Sequence, residues 1–298
     1  MNPLVFALPE HAEFAAALAT ALEAECGEML VRRFPDGETY VRLVTPPAGR
    51  QVLFAGGLER PDEHSLALYF AASAARELGA KRVGLVAPYL AYMRQDARFN
   101  DGEAITSVHF AGWLSRFLDW LVTVDPHLHR YPSLDCVYSI PSRVVASAPA
   151  ISRWIRDNVR DPLVIGPDAE SAQWAQTVAA GAECPAIVLS KVRRGDRDVE
   201  VSLPDIGALR DRTPVLIDDI ISTARTMIAA IEQLHAREVR RAPICIGVHG
   251  LFAGDAHAEL AAAGVARIVT CNTIRHATNA IDVLPDIASA ARDLLAVG

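Results

Sequence analysis

Positive charge is scarce in this chain. Its 298 residues carry 29 Lys and Arg against 36 Asp and Glu, a formal net charge of −7. Holding a nucleic-acid backbone requires clustered Lys and Arg, so this balance argues against a nucleic-acid partner. Lysine is almost missing: it occurs only at Lys81 and Lys191. Two lysines in a chain that otherwise uses Arg reflect either chance or a need for a compact ammonium, which draws attention to Lys191. No apolar run approaches the ~20 residues of a membrane span, so no membrane partner is expected. The N-terminus is apolar, but Glu10 interrupts it and the first strong base is Arg32. It lacks the charged start of a secretory signal, and a cytoplasmic location is expected. The five cysteines (Cys26, Cys136, Cys184, Cys245, Cys271) form no CxxC pair, which fits free thiols in a reducing compartment.

Apolar residues make up 51% of the chain and charged residues 22%, enough to build ordinary cores. The length suits about two domains. Short apolar runs such as 4–8, 52–55, 83–87, 121–124, 163–165, 215–217, 244–248 and 268–270 alternate with longer amphipathic, Ala-rich stretches. That order predicts βαβ units and mainly parallel sheets, an α/β fold. Residues 28–34 and 38–44, joined through Pro35-Asp36-Gly37, predict a β-hairpin instead. The prolines and irregular segments of 130–147 place the boundary between domains 1–145 and 146–298, with the last helix, 285–298, free to pack back on the first domain.

The most informative stretch is Pro214–Met227. A strand at 215–217 is expected to end at two carboxylates, Asp218 and Asp219. Ser222, Thr223, Ala224, Arg225 and Thr226 then turn into a helix. Ligands of open α/β sheets bind at the carboxyl ends of strands. A turn that opens a helix offers unpaired N–H groups to an anion. The paired acids can hold the vicinal hydroxyls of a sugar, so the element reads as a site for a ribose phosphate.

Other stretches are softer. Phe34-Pro35-Asp36-Gly37-Glu38 is ordinary turn chemistry, or an aromatic wall for a base with acids accepting from its amino group. Arg94 and Gln95 follow a strand and offer fork-like donors to phosphate or an adenine edge. Asp125-Pro126-His127 also ends a strand and could position a magnesium–phosphate group through waters. Asp168 opens a helix, as an N-cap or facing a metal-bound water. Ser190–Asp198 reads as a charged loop. It is either a solvated run or a lid that delivers Lys191 and Arg193 to phosphates.

In this order the segments resemble the ribose-phosphate pyrophosphokinase family. The matching stretches are Phe34–Glu38, Pro88–Asp96 with Arg98-Phe99, Gly102–Thr106, Asp125–His127, Pro167-Asp168, Lys191–Arg193 and Asp218–Thr226. Phe99–Ile105 is closer to the short archaeal-type members. The resemblance implies two phosphoribosyltransferase-like α/β domains and transfer of the diphosphoryl group of ATP to the 1-hydroxyl of ribose 5-phosphate. It implies adenine held by Phe34, Asp36, Gly37 and Glu38, and further ATP contacts from Arg94 and Gln95. It assigns Mg²⁺ to His127 and Asp168, and catalysis to Lys191 and Arg193. Asp218 and Asp219 would take the ribose hydroxyls, and 222–226 the 5-phosphate. It also implies a homo-oligomer with the ATP site near a subunit interface. Three departures stand out: Arg225 replaces a small residue in the phosphate loop, Ala169-Glu170-Ser171 replaces a Gly-rich run, and Leu128–Pro132 leaves the common bacterial pattern. A tight turn at Arg225 would be strained. A phosphoribosyltransferase and a non-catalytic nucleotide-binding relative remain as alternatives.

Overall fold

The computed structural model describes residues 2–167, 171–194, 198–202 and 209–297, with the backbone alone for 190–194 and 198–202. The chain forms two compact units, Met1–Val145 with Leu284–Gly298, and Ala146–Val283.

The first unit runs β1 (Leu4–Ala7), α1 (Ala12–Ala21), β2 (Glu25–Gly27), β3 (Met29–Arg33), β4 (Thr39–Leu43), β5 (Gln51–Ala55), α2 (Pro61–Glu77), β6 (Arg82–Val86), α3 (Thr106–Leu114), β7 (Trp120–Val124) and β8 (Ser142–Val145). Six strands pair in parallel in the order β2-β1-β5-β6-β7-β8, while β3 and β4 form a separate antiparallel hairpin. The central strands read as continuous apolar runs because helices cover both faces of such a sheet; every residue of β7 is buried. Helix α2 begins with Pro61 at its first position and Asp62 and Glu63 in its first turn. Proline there costs no hydrogen bond, and the acids favour the positive end of the helix. Gly79, at φ 87°, takes the left-handed conformation that terminates it.

The second unit runs α4 (Ala148–Asn158), β9 (Pro162–Gly166), α5 (Ala172–Gly181), β10 (Ala186–Val188), β11 (Ser190–Arg194), β12 (Asp198–Ser202), β13 (Thr213–Ile221), α6 (Arg225–Ala236), β14 (Ile244–Gly250), α7 (Ala256–Ala262), β15 (Arg267–Cys271) and β16 (Asn279–Ile281). Its parallel sheet has the order β10-β9-β13-β14-β15-β16. Numbered within each unit and leaving the hairpins aside, both sheets follow the order 2-1-3-4-5-6. Both also insert an antiparallel hairpin between their second and third sheet strands.

The chain then returns to the first unit as α8 (Leu284–Ala296), which packs on β7, β8 and α1. Its final carbonyls are satisfied from the first sheet: Arg82 Nη1 donates to Leu294 O at 3.0 Å and Gln51 Nε2 to Leu295 O at 3.0 Å. Among the described residues no helix is long and apolar enough to cross a membrane.

Four local expectations change. The first Ala-rich stretch, expected to be helical near 10–25, stops at Ala21 and Glu25–Gly27 becomes an edge strand, because Glu23 turns the chain at φ 52°. Residues 142–145 form β8 inside the stretch expected to be irregular. The charged stretch after β10 is a hairpin, with Lys191 opposite Val201 and Arg193 opposite Val199. The strand bearing the paired acids is longer than 215–217: it continues through them to Ile221, because β14 runs on beside it, with Asp218 opposite Gly247 and Ile221 opposite Gly250.

The first sheet leaves no room at Gly84, which lies opposite Trp120. A Cβ there would sit 2.0 Å from Trp120 Cε2. Gly84→Ala is expected to cost about 1–3 kcal/mol of stability through overpacking. A thermal melt that matches wild type would contradict this account of the core.

Candidate active site

The second unit holds the element with the clearest chemistry. β13 pairs with β9 as far as Leu216 and with β14 to its end, so its last residues have one neighbour in the sheet. Asp218 and Asp219 lie in that final stretch, both half-buried. The Asp219 N–H donates to Asp218 Oδ1 at 3.0 Å, which holds the first carboxylate against its own backbone. After Ile221 the chain turns through Ser222, Thr223 and Ala224 into α6. Ala224 adopts φ 57°, ψ 1°, a left-handed conformation that side chains disfavour. The strain expected at Arg225 therefore falls on Ala224, while Arg225 is the first residue of the helix and is exposed.

Among the described residues no side chain caps α6. The first helical bond, from the Ile228 N–H to Ala224 O at 2.9 Å, lies a full turn in. N–H groups at an uncapped helix start, with the helix dipole behind them, attract an anion. The hydroxyls of Ser222, Thr223 and Thr226 stand in the same turn. The segment after β14 braces it: Phe252 N–H donates to Ile221 O and Ala253 N–H to Ser222 O, each at 3.0 Å.

Of the remaining expected residues in this unit, Lys191 and Arg193 lie two apart on β11, and their side chains are outside the described residues. Asp168 also lies outside the described residues.

In the first unit three of the expected segments stand on separate supports. The hairpin tip is fixed by Phe34 N–H to Glu38 O at 2.8 Å and Gly37 N–H to Phe34 O at 2.9 Å, with Gly37 at φ 94°. Asp36 Oδ1 accepts from the Glu38 N–H at 3.2 Å. Phe34 is 38% exposed, and Arg32 lies over its ring at 4.4 Å and over the Tyr40 ring at 4.3 Å. Arg32 was not anticipated; its place two residues before Phe34 on one strand face was the available signal. After β6, Arg94 is exposed and Gln95 half-buried. After β7, Asp125 takes φ 31° and the half-buried His127 packs its ring edge-on to His129, centroids 3.9 Å apart.

A buried group in the first unit also escaped the sequence. His11 follows β1, Glu59 follows β5, and His64 lies in the first turn of α2. His11 Nε2 is 3.3 Å from Glu59 Oε1, and the two imidazole rings meet edge-on at 5.9 Å. Burial pushes both histidines down and Glu59 up from their ordinary values, so burial favours the uncharged form of each. The ring of His11 lies against Gly56, where a Cβ would come within 2.7 Å of it. His11 is far in sequence from Glu59 and His64, and the three match no spacing rule.

Comparison with known proteins fits this geometry. Residues 4–117 match the model of the N-terminal domain of ribose phosphate pyrophosphokinase, and residues 134–286 match the phosphoribosyl transferase domain. The ribose-phosphate pyrophosphokinase of Methanopyrus kandleri is 31% identical over 98% of this chain and 99% of its own. That of Sulfolobus acidocaldarius is 31% identical over 88% and 89%. This chain belongs to the ribose-phosphate pyrophosphokinase family. A crystal structure of the phosphoribosylpyrophosphate synthetase from Mycobacterium smegmatis has the same fold, with a TM-score of 0.87 over the whole of both chains at 22% identity. The pyrophosphokinase fold thus accounts for both sheets and both hairpins.

Ala224 supplies a test of the turn. Ala224→Val, β-branched at a positive φ, is expected to lower stability by about 1–3 kcal/mol. Ala224→Gly should not lower it, since glycine takes this conformation freely. Equal melting temperatures for the two variants would mean that the left-handed turn is absent in solution.

Proposed function

We propose that this protein is a ribose-phosphate diphosphokinase. It transfers the β,γ-diphosphoryl group of ATP to the 1-hydroxyl of ribose 5-phosphate, giving 5-phosphoribosyl 1-diphosphate and AMP for nucleotide biosynthesis. The observation that carries this reading is the turn at 222–226. A helix start with no side-chain cap follows a strand that carries two acids among its last residues, in a chain that also matches the pyrophosphokinase N-terminal domain. That second match favours the diphosphokinase over a simple phosphoribosyltransferase.

Residues of the second unit bind and orient the sugar. Ser222, Thr223, Ala224, Arg225 and Thr226 receive the 5-phosphate with N–H groups and hydroxyls. Asp218 and Asp219 accept from the ribose hydroxyls. In the first unit Phe34, Asp36, Gly37 and Glu38 receive adenine, and Arg94 and Gln95 contact ATP. Phe34 offers a ring for stacking, and the two acids accept from the exocyclic amino group.

Magnesium fits the donors available. It takes oxygen ligands and keeps several waters, so a carboxylate binds it directly and an imidazole reaches it through a water. His127 and Asp168 are the residues assigned to hold it, and bound magnesium would neutralise charge on the triphosphate. Lys191 and Arg193, two apart on β11, supply cationic donors to the equatorial oxygens of the transferred group. Positioning and charge neutralisation provide most of the rate in phosphoryl transfer. Five free cysteines suit a reducing cytoplasm. The exposed hairpin tip suits a homo-oligomer whose ATP site lies near a subunit interface.

The test is to mix pure protein with ATP, Mg²⁺ and ribose 5-phosphate and to follow AMP. Release that depends on the sugar is expected; its absence overturns the reading. In the same assay Lys191→Ala should lower turnover by about 10²–10³, by analogy with losing one preorganised donor, while nucleotide affinity stays close to wild type. Undiminished turnover would remove Lys191 from the chemistry.

A further inference from the structure

We propose that Arg130 and Tyr131 form a clamp on Asp96 that positions Arg94 and Gln95 for ATP. This rests on the reading of Arg94 and Gln95 given above. The two residues follow the His127 loop and stand where the chain leaves the common bacterial pattern. They have no role in the site as assigned so far.

Exposure falls along the three residues after Met93: Arg94 is exposed, Gln95 half-buried and Asp96 buried. The Asp96 side chain is wholly inaccessible. Arg130 Nη1 donates to Asp96 Oδ1 at 2.8 Å, and Asp96 Oδ2 has no hydrogen-bond partner among the described residues. A buried carboxylate with a single partner depends on that partner. The Arg130 guanidinium is itself steadied over the Phe99 ring at 5.1 Å.

Tyr131 grips the backbone of the same residue. Its hydroxyl donates to Asp96 O at 3.1 Å, and Ser107 Oγ lies 3.2 Å from the phenol oxygen. A phenol has one proton, so Ser107 is the donor in the second contact. From the start of α3 the Ser107 N–H donates to Gln95 O at 3.3 Å, and the Thr106 hydroxyl donates to Gln95 Oε1 at 3.4 Å. With its carbonyl oxygen engaged by Thr106, the Gln95 amide keeps its NH₂ as the end for a nucleotide acceptor.

Asp96 is therefore an anchor held by side chain and by backbone, and Arg94 projects from the anchored segment. Arg130 and Tyr131 are positioning residues, because they act on the nucleotide through 94–96. Their loop also carries His127, so the ATP segment and the expected metal residue share one scaffold.

The experiment compares full-length wild type with Arg130→Met, Arg130→Lys and Tyr131→Phe. Calorimetry measures Mg·ATP affinity, and steady-state kinetics give kcat and both KM values. Arg130→Met should weaken ATP by about tenfold and Tyr131→Phe by about threefold, the scale of one charged and one neutral hydrogen bond. Arg130→Lys should recover part of the loss, and KM for ribose 5-phosphate should not move. Wild-type ATP affinity in both Arg130→Met and Tyr131→Phe overturns the clamp. A parallel rise in both KM values also overturns it, since that marks general loosening. If Arg130→Met does not fold, Tyr131→Phe and Arg130→Lys decide. A wild-type protein that binds no ATP and releases no AMP refutes the functional reading beneath the clamp, an outcome distinct from equal affinities across the series.

Discussion

Parallel pairing sends the carboxyl end of every strand in a sheet to the same edge, and the remaining architecture follows from that constraint. In the first sheet the loops after β6 and β7, which carry Arg94–Asp96 and Asp125–Tyr131, become neighbours because their strands are neighbours. The Asp96–Arg130 contact is a direct product of this adjacency. In the second sheet the same geometry sets the turn after β13 beside the segment after β14, whose N–H groups brace it. In the first sheet, side chains from distant parts of the sequence meet on the long segments 87–105 and 125–141, which follow neighbouring strands.

The turn at 222–226 shows how local strain and chemistry are joined. A left-handed residue is needed to bend the chain sharply from strand to helix, and this chain uses Ala224 where glycine would be unstrained. The bend leaves the start of α6 without a side-chain cap. Those two costs belong to folding, and their product is a cradle of N–H groups suited to a phosphate. Placing the acids before the turn, inside the strand, keeps negative charge away from the helix start and available to sugar hydroxyls.

Much of the fold was legible in the sequence because it is periodic. Buried parallel strands appear as apolar runs, and helices between them as Ala-rich amphipathic stretches. The hairpin at 29–43 showed through Pro35-Asp36-Gly37. Short edge strands did not show: Glu25–Gly27 and Asn279–Ile281 are stabilised by one neighbour each, with no apolar run to mark them. The length of β13 was missed for a related reason, since two acids and a partner glycine hide a strand that only the pairing with β14 reveals. The turn at 222–226 was readable because its residues are contiguous. The contacts of Asp96 with Arg130 and Tyr131, and of His11 with Glu59 and His64, join residues 34 or more positions apart, beyond the reach of local patterns.

The two sheets share one strand order, and an open sheet of this kind has its natural crevice where that order reverses. In the second unit the reversal lies between β9 and β13, beside the turn at 222–226. In the first unit it lies between β1 and β5, and there His11, Glu59 and His64 fill the position with side chains. At that edge stand a carboxyl group and two imidazole rings, each of whose charged forms burial disfavours. The repeated framework thus carries different occupants at the same point of its strand order: a turn of hydroxyl residues in one unit, two histidines and a glutamate in the other.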